Sequence, residues 1–388
     1  MRILHTSDWH VGKRIGRYDR IGEYKEVIAE VVELADREDV DLVLLSGDLF
    51  DRPLPPVAAL HVAFDGLVGL TADGTRPVVV VAGNHDSPEL FDALAPFFEG
   101  GGIHLIGSIR PPEEGGVLDI ETKAGRALVA CFPFLRQGRV VDFMETAGRW
   151  YGQYAERVGK LCKAYSDHLV RAAGTGVVPL LVAHFMVTGV KIDRGADRGE
   201  RELHMGQAYS ADPQAIPHGP QYVAMGHIHA PQPVPGSPVP AEYAGSLLQL
   251  DFGEVGEEKR VVIVDVEPGT LATRRSVPIT AGRPLVRARG RWERLAERSE
   301  LREAYVDVTV ETDGPDPGLA DLAGQAFPYL VRVRPDYERP EAERPARAGR
   351  PWDELYQEYH EQAHAEKPSD ELLTAFRQVM DEVLHASP

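Results

Sequence analysis

Cysteine and long apolar runs are scarce in this sequence, and each shortage excludes a class of protein. Two cysteines in 388 residues, Cys131 and Cys162, cannot build a structural zinc site and require no disulfide framework. Both stand among apolar residues, so we expect buried, inert thiols and a reducing compartment, the cytoplasm. No apolar run approaches the roughly 18 residues of a membrane-spanning helix. Met1 leads directly into a predicted strand, and we therefore expect no signal peptide.

Positive charge is also in short supply. The chain has 60 Asp and Glu residues against 42 Lys and Arg, which gives a formal net charge of −18. This balance argues against a nucleic-acid substrate, because contacts to phosphates are made mainly by Lys and Arg. Two alternatives weaken the argument. A carboxylate cluster is no longer negative once it has bound divalent cations, and a basic partner subunit can supply the contacts to a nucleic-acid backbone.

Apolar strands and amphipathic helices alternate over the first hundred residues. Each strand ends in polar residues and is followed by a helix, which predicts a βαβαβ unit with a mostly parallel sheet. The predicted strands are residues 2–6, 41–45 and 78–81, and the predicted helices are residues 19–37, 55–70 and 87–98.

After residue 100 the chain is richer in strands. We predict a long helix at residues 148–172 and a charged, glycine-punctuated loop at residues 188–209. The last three strands before residue 280 are expected to form one antiparallel set. The predicted strands are residues 102–106, 117–121, 127–132, 177–184, 222–225, 242–244, 260–266 and 271–277.

The length of the chain suggests two or three domains. We place a first domain at residues 1–279 and a small α+β module at residues 280–338. Residues 339–388 comprise a linker with several Pro and Arg residues and then a tail of two amphipathic helices, the second capped by Ser369.

Polar side chains collect at the ends of the predicted strands, where open α/β sheets place their ligands. In the D-x-H and H-x-H pairs the two residues are two positions apart, so on extended backbone they would face one point. The candidates are Asp8, His10, Asp48, Asn84, His85, Asp86, His184, His227 and His229.

Carboxylates, imidazoles and an amide together suit Mn²⁺, Fe²⁺ or Zn²⁺ better than Ca²⁺ or Mg²⁺. Without His85 and Asp86 seven candidates remain, which is too many for one ion. Two ions about 3.5–4 Å apart that share one carboxylate would use all seven, and such a pair generates hydroxide near neutral pH. The alternative for residues 84–86 is a turn that only caps the following helix.

The order of these motifs resembles that of the calcineurin-like metallophosphoesterases: D-x-H, G-D, G-N-H-D, a lone H and G-H-x-H. The resemblance implies an α/β fold, a β-sandwich flanked by helices with a small α+β cap and a helical tail. It assigns one metal to Asp8, His10, Asp48 and His229, and the other to Asp48, Asn84, His184 and His227, with Asp48 as the bridge. By the same resemblance His85 stabilises or protonates the leaving oxygen, and Asp86 orients His85.

Longer segments are similar to those of nuclease subunits in bacterial complexes with a coiled-coil ATPase: ILHTSDWHVG, LSGDLFDRPLPP, VVVVAGNHDSPE, MGHIHAPQ and AEYAGSLLQLDFGE. This similarity implies a Mn²⁺-dependent nuclease that acts as an exonuclease on double-stranded ends and as an endonuclease on hairpins and single strands, in DNA repair, replication and recombination at the nucleoid. It implies that the module at residues 280–338 helps to select DNA and that the tail docks on the ATPase. Helices 57–70 and 89–98 would form a homodimer within a heterotetramer of two nuclease and two ATPase subunits.

Two rival functions stay open, and several residues have no predicted functional role. The same fold could serve a small-molecule phosphatase or a cyclic-nucleotide phosphodiesterase, which would need neither cap nor tail. A chain that had become a non-catalytic scaffold would usually have lost ligands, and here the set is complete. Residues outside the motifs are read as ordinary histidines and as arginines that contact either phosphate or solvent: His5, His61, His104, His168, His204, His218, Arg14, Arg17, Arg136 and Arg139.

Overall fold

A computed structural model of the chain describes residues 1–136, 150–191, 210–337, 350–364 and 366–385. The chain divides into two compact units. One contains residues 1–311 and 317–334, and the other contains residues 312–316 and 335–388. The predictions for Arg139, His204, most of the loop at 188–209 and most of the linker lie outside the described residues.

The strands and helices are numbered in chain order. The strands are β1 (Arg2–Thr6), β2 (Leu42–Leu45), β3 (Val78–Val81), β4 (Ile103–Ile106), β5 (Val117–Thr122), β6 (Gly125–Phe132), β7 (Val177–His184), β8 (Met186–Val187), β9 (Ser210–Ala211), β10 (Tyr222–Gly226), β11 (Gln232–Pro233), β12 (Ala241–Tyr243), β13 (Arg260–Asp265), β14 (Thr273–Pro278), β15 (Leu285–Arg291), β16 (Tyr305–Glu311) and β17 (Leu330–Asp336). The helices are α1 (Ile21–Arg37), α2 (Val57–Leu70), α3 (Pro88–Phe98), α4 (Trp150–Ala172), α5 (Trp292–Ala296), α6 (Glu300–Glu303), α7 (Leu319–Ala326), α8 (Trp352–His364) and α9 (Asp370–His385).

The first sheet has the strand order β14-β13-β1-β2-β3-β4. Strands β1 to β4 run parallel, and helices α1 to α3 connect them, so the predicted βαβαβ unit is confirmed. Strands β13 and β14 extend the sheet in antiparallel pairing on the other side of β1. All four residues of β3 are buried, because Val78 and Val80 face the helices while Val79 and Val81 face the second sheet.

The second sheet has the order β11-β12-β10-β7-β6-β5. One prediction about its strands was wrong. The segment at 242–244 does not join the antiparallel set with β13 and β14, because β12 pairs in parallel with β10, with Ala241 opposite Val223. All three residues of β12 are buried, and its place between β10 and β11 provides that burial.

The two sheets stack face to face between layers of helices. Side chains such as Leu44 and Val79 of the first sheet and Val129 and Leu180 of the second share the core between the sheets. Helices α1, α2 and α3 cover the outer face of the first sheet, and α4 covers that of the second. The predicted β-sandwich flanked by helices is therefore confirmed. Cys131 and Cys162 are both buried free thiols, as predicted.

A three-stranded sheet of β15, β16 and β17 packs against α5 to α7 with its own apolar core. Strand β15 was not predicted, because its alternating arginines carry little apolar signal. In the second unit, the rings of Tyr356 in α8 and Phe376 in α9 stack with centroids 4.2 Å apart. Ser369 Oγ accepts the N–H of Leu372 at 3.2 Å, the predicted cap. The domain boundaries at residues 279 and 338 stay predictions.

The described part of the chain has no helix with the length and the apolar character that crossing a membrane would require.

Candidate metal centre

The predicted site residues lie at the carboxyl ends of five strands. These ends belong to β1, β2 and β3 of the first sheet and to β7 and β10 of the second. Because the sheets stack, side chains that are distant in sequence approach one another at this edge. Asp8 and His10 follow β1, Asp48 follows β2, residues 84–86 follow β3, His184 ends β7, and His227 and His229 follow β10.

Four of the predicted residues form a first group. Asp8, His10, Asp48 and His229 each offer one ligand atom, and these atoms all lie within 4.8 Å of one another. Nε2 of His10 is 3.1 Å from Nε2 of His229 and 3.5 Å from Oδ2 of Asp48. Asp8, His10 and Asp48 are almost fully buried, so their polar atoms face one another rather than solvent.

A second group surrounds the amide of Asn84. Its Oδ1 atom lies 3.0 Å from Nε2 of His184 and 2.8 Å from Nδ1 of His227. Nε2 of His184 is in turn 3.4 Å from Oδ2 of Asp48. The same carboxylate oxygen therefore lies close to an imidazole nitrogen of each group.

The backbone at the site departs from the extended conformation assumed in the sequence analysis. Asp8, His10, Asp48 and His227 have φ angles of 48°, 49°, 50° and 93°. Non-glycine residues rarely adopt positive φ, and such strain collects at functional sites. Asp8 and His10 do converge, as predicted, but not through the extended backbone on which that prediction was based. His227 and His229 lie in different groups, and Asp8 and His10 meet through left-handed turns.

A glycine precedes three of the predicted ligands, Asp48, Asn84 and His227, because a Cβ atom at each glycine would clash with neighbouring atoms. A Cβ on Gly47 would lie 2.0 Å from Nδ1 of His184, and one on Gly83 would lie 2.1 Å from Oδ1 of Asp48. On Gly226 it would lie 1.8 Å from the carbonyl oxygen of Ser46. These glycines belong to the predicted motifs, but their role in letting the two sheets close on the site was not predicted.

The charges within the site are strongly coupled. Burial alone would raise the pKa of Asp48, but His184, His10 and His85 hold it well below its usual value. Burial would lower the pKa of His184, and the carboxylates of Asp48 and Asp8 raise it to about 9. Burial lowers the pKa of His227 to about 3, with a contribution from His184. Negative charge is thus concentrated on Asp48.

His85 and Asp86 are arranged differently from the prediction. Nδ1 of His85 hydrogen-bonds the backbone carbonyl of Asp51 at 2.9 Å. The carboxylate of Asp86 accepts the N–H groups of Leu49, Phe50 and Gly83 at 2.9–3.1 Å. The predicted role of Asp86 in orienting His85 is corrected accordingly. These buried N–H groups would otherwise be unpaired, so Asp86 stabilises the loops that carry Asp48 and His85.

The arginines noted in the sequence have separate positions. Arg136 donates to the backbone carbonyls of Asn84, at 3.2 Å, and Asp86, so it holds the loop that carries His85. Arg14 and Arg17 are exposed, and the side chain of Arg14 bonds the carbonyl of Arg17 at 2.6 Å.

The donor set fits divalent cations. Two imidazole nitrogens that approach to 3.1 Å leave space for at most one proton, and a cation that accepts both lone pairs removes the conflict. In the second group, Asn84 Oδ1 lies within 3.0 Å of imidazole nitrogens of both His184 and His227, so an amide oxygen and two imidazoles are available as ligands. Imidazoles with carboxylates and one amide oxygen suit Mn²⁺, Fe²⁺ or Zn²⁺.

Comparison with known proteins identifies the family of the chain. Residues 1–231 match the calcineurin-like phosphoesterase family. The SbcD subunit of nuclease SbcCD from Bacillus subtilis is 30% identical over 357 residues, which cover 89% of this chain and 88% of that protein. The SbcD subunit from Rhodobacter capsulatus is 29% identical over 375 residues, 89% of this chain and 90% of that protein. The one from Escherichia coli K12 is 26% identical over 323 residues, 81% and 78% respectively.

Proposed function

Since the chain belongs to the calcineurin-like phosphoesterase family and, within it, to the SbcD nuclease subunits, we propose that it hydrolyses DNA phosphodiester bonds with divalent cations and works with an SbcC-like ATPase. One observation carries this proposal. Oδ2 of Asp48 lies 3.5 Å from Nε2 of His10 and 3.4 Å from Nε2 of His184, which is the arrangement expected of a carboxylate shared by two cations.

Two Mn²⁺ ions are the proposed cofactors. Asp8, His10, Asp48 and His229 would hold one ion, and Asp48, Asn84, His184 and His227 would hold the other. When bound, such ions make hydroxide available near neutral pH and neutralise the charge that develops on phosphoryl oxygens. The ordinary ligand preferences of Mn²⁺ support this choice without excluding Fe²⁺ or Zn²⁺.

His85 is the proposed proton donor. Its Nδ1–H is held by the carbonyl of Asp51, and its own backbone N–H donates to Oδ1 of Asp48 at 2.8 Å. The bond at Nδ1 leaves Nε2 as the nitrogen that can exchange a proton with substrate. In the proposed reaction an oxygen from water bonds to phosphorus, the P–O bond to the sugar breaks, and Nε2 gives a proton to the departing sugar oxygen.

The three-stranded sheet is the proposed DNA-selecting module. Residues i, i+2 and i+4 of a strand share a face, so the arginines of β15 and β17 form one stripe beside Asp307 of β16. Arg334 and Arg287 lie 3.2 Å and 3.9 Å from the carboxylate of Asp307. An exposed row of guanidinium groups in a chain of net charge −18 supports phosphate binding. The five exposed arginines are Arg287, Arg289, Arg291, Arg332 and Arg334.

Two apolar surfaces support the proposed assembly, a heterotetramer of two nuclease and two ATPase subunits. Val57 and Val68 of α2 and Phe97 of α3 are exposed, which suits a homodimer through these helices. In the tail, α8 and α9 expose apolar side chains to dock on an SbcC-like ATPase: Trp352, Tyr359, Leu372 and Val379. Because DNA is the proposed substrate and the ATPase the proposed partner, the proposed site of action is the cytoplasm, at the nucleoid.

The test is a nuclease assay with a labelled DNA hairpin, with and without Mn²⁺, SbcC-like partner and ATP. We expect cleavage that requires Mn²⁺ and stops with a chelator. Hydrolysis of phosphomonoesters or cyclic nucleotides without any cleavage of DNA would favour the small-molecule rival. A chain that binds Mn²⁺ but cleaves nothing under any of these conditions would favour the non-catalytic scaffold.

A further inference from the structure

Glu254 is a buried carboxylate outside every motif that assigned a metal ligand. It ends a short 3₁₀ turn, Phe252–Glu254, and its side chain is 2% exposed. Oε1 accepts Nδ1–H of His229 at 3.0 Å, and Oε2 accepts the backbone N–H of Leu250 at 2.9 Å. One of its oxygens therefore serves His229 while the other is fixed by the backbone.

Lys259 completes the arrangement around this carboxylate. Its side chain is 6% exposed, and its Nζ atom lies 2.8 Å from Oε2 of Glu254 and 2.6 Å from Oε2 of Glu257. The same Nζ donates to the carbonyl of His229 at 3.2 Å. A buried ion pair is weak evidence for a role in stability, because desolvation offsets much of its attraction. The contacts of both charged groups with His229 suggest a role at the site instead.

The bond from Glu254 determines which nitrogen of His229 can bind a cation. With the proton on Nδ1 and directed at Glu254, Nε2 carries the lone pair. That nitrogen lies 3.1 Å from Nε2 of His10, inside the first group. A carboxylate behind a metal-binding imidazole fixes its tautomer and its ring orientation and raises its basicity.

The first and second groups differ in what holds the Nδ1 atoms of their histidines. His184 in the second group donates Nδ1–H to the backbone carbonyl of Ser46 at 2.7 Å, which no side-chain substitution removes. Nδ1 of His10 has no hydrogen-bond partner in the described part of the chain. The side chain of Glu254 therefore supports the first group and not the second.

The segment that carries Glu254 is anchored on both sides. The side-chain amide of Gln249 donates to the carbonyl of Glu254 at 3.0 Å, and its Oε1 accepts the N–H of Leu285, the first residue of β15, at 2.8 Å. Arg20 donates to the carbonyl of Gln249 at 2.6 Å. This network holds the carboxylate in one place, as preorganised support for a ligand requires.

We propose that Glu254, with Lys259, is a positioning residue that fixes the tautomer and direction of His229 toward one of two divalent cations. The inference rests on the proposed metal centre. Loss of such a supporting group typically weakens metal binding about 10–100-fold. The effect should be confined to the ion held by the first group.

The test is Mn²⁺ binding to the full chain by calorimetry and equilibrium dialysis, with folding followed by circular dichroism. We expect wild type to bind two ions and Glu254→Ala to bind one of them about 10–100-fold more weakly. Glu254→Gln keeps the shape and an acceptor oxygen but lacks the charge, so it should be intermediate. Glu258→Gln, at an exposed carboxylate of the same segment, is the matched control and should bind like wild type.

A double-mutant cycle separates positioning from general destabilisation. In a His229→Ala background, Glu254→Ala should cause no further loss of Mn²⁺ affinity, because the ligand that it positions is gone. If Glu254→Ala does not fold, the isosteric Glu254→Gln replaces it. If a folded Glu254 variant bound both Mn²⁺ ions with wild-type affinity, the proposed role of Glu254 would be overturned. The proposed metal centre would not be affected by that result. A wild-type chain that bound no Mn²⁺ would overturn the proposed metal centre itself.

Discussion

The backbone N–H of His85 donates a hydrogen bond of 2.8 Å to Oδ1 of Asp48, while Oδ2 of the same carboxylate lies between the imidazoles of His10 and His184. The proposed proton donor is thereby tied to the proposed bridging ligand. Asp86 also fixes the two loops to each other, because its carboxylate accepts the N–H of Leu49 from the loop after β2 and the N–H of Gly83 from the loop after β3. Backbone contacts consequently hold these side chains of the site in place.

Replacement of His85 should separate chemistry from metal binding. We expect His85→Ala to lower the rate of Mn²⁺-dependent hairpin cleavage by about 10²–10⁴-fold, the usual contribution of a general acid. Its affinity for Mn²⁺ should stay that of wild type, because the imidazole is not a proposed ligand. His218→Ala, at an exposed histidine, is the matched control. Undiminished cleavage by a folded His85→Ala variant would remove His85 from the mechanism.

Gly83→Ala should damage the site without altering any proposed ligand. The added Cβ would stand 2.1 Å from Oδ1 of Asp48, so the carboxylate or the strand end must move. We expect weaker binding of Mn²⁺ and a loss of about 1–3 kcal/mol in the free energy of unfolding. Gly22→Ala, where nothing lies within 4 Å of the new Cβ, should leave Mn²⁺ affinity unchanged and should not lower the free energy of unfolding, because alanine is favoured over glycine in helix α1. Equal Mn²⁺ affinity in the two variants would show that this close approach is unimportant.

The arginine stripe predicts a defect that depends on the size of the substrate. Arg289→Ala combined with Arg332→Ala should weaken binding of double-stranded DNA and reduce the slope of log K against log salt by about 0.9 for each lost phosphate contact. Hydrolysis of a small phosphodiester such as bis(p-nitrophenyl) phosphate should be unchanged. Arg298→Ala, at a residue of the same module that pairs with Glu300 at 2.8 Å, is the control. An unchanged salt dependence would argue that DNA does not use this face.

Stability should depend on pH through His5. Its imidazole is buried between the hydroxyls of Tyr222 and Ser46, each at 2.9 Å, and burial lowers the pKa of His5 to about 3. Between pH 6.5 and 3 the unfolded chain binds the proton and the folded chain does not. Stability is therefore present above pH 6.5 and is lost as the pH falls, by about 1.4 kcal/mol per pH unit.

The corresponding measurement is chemical denaturation at pH 7 and pH 5. Wild type should lose roughly 2 kcal/mol more than His5→Gln between the two values, since the glutamine does not titrate. Parallel losses in both proteins would mean that His5 is not buried in its neutral form.

Much of the fold was accessible from sequence because strongly patterned segments dominate it. The run Val78–Val81 must be apolar on both faces, since one face meets the helices and the other meets the second sheet. The pairing of β12 was missed because three residues, Ala241–Tyr243, carry too little pattern to choose between two sheets. The strand β15 was missed because its arginines serve an exposed face and give no hydrophobic signal.

The residues of the candidate site were predicted from the sequence, but their geometry was not. Positive φ at Asp8 and Asp48 follows from the turns that the packed sheets impose, which local propensity does not reveal. Asp86 was assigned to His85 because the two are adjacent, although buried N–H groups from another loop compete for its oxygens. Glu254 was overlooked since nothing local marks a carboxylate whose partner lies 25 residues earlier in the chain.

The central claim is that two cations share the carboxylate of Asp48, and diffraction from Mn²⁺-soaked crystals at the manganese edge tests it most directly. The account predicts two anomalous peaks about 3.5–4 Å apart with an oxygen of Asp48 between them. A single peak, or two peaks of which one lies away from Asp48, would contradict it.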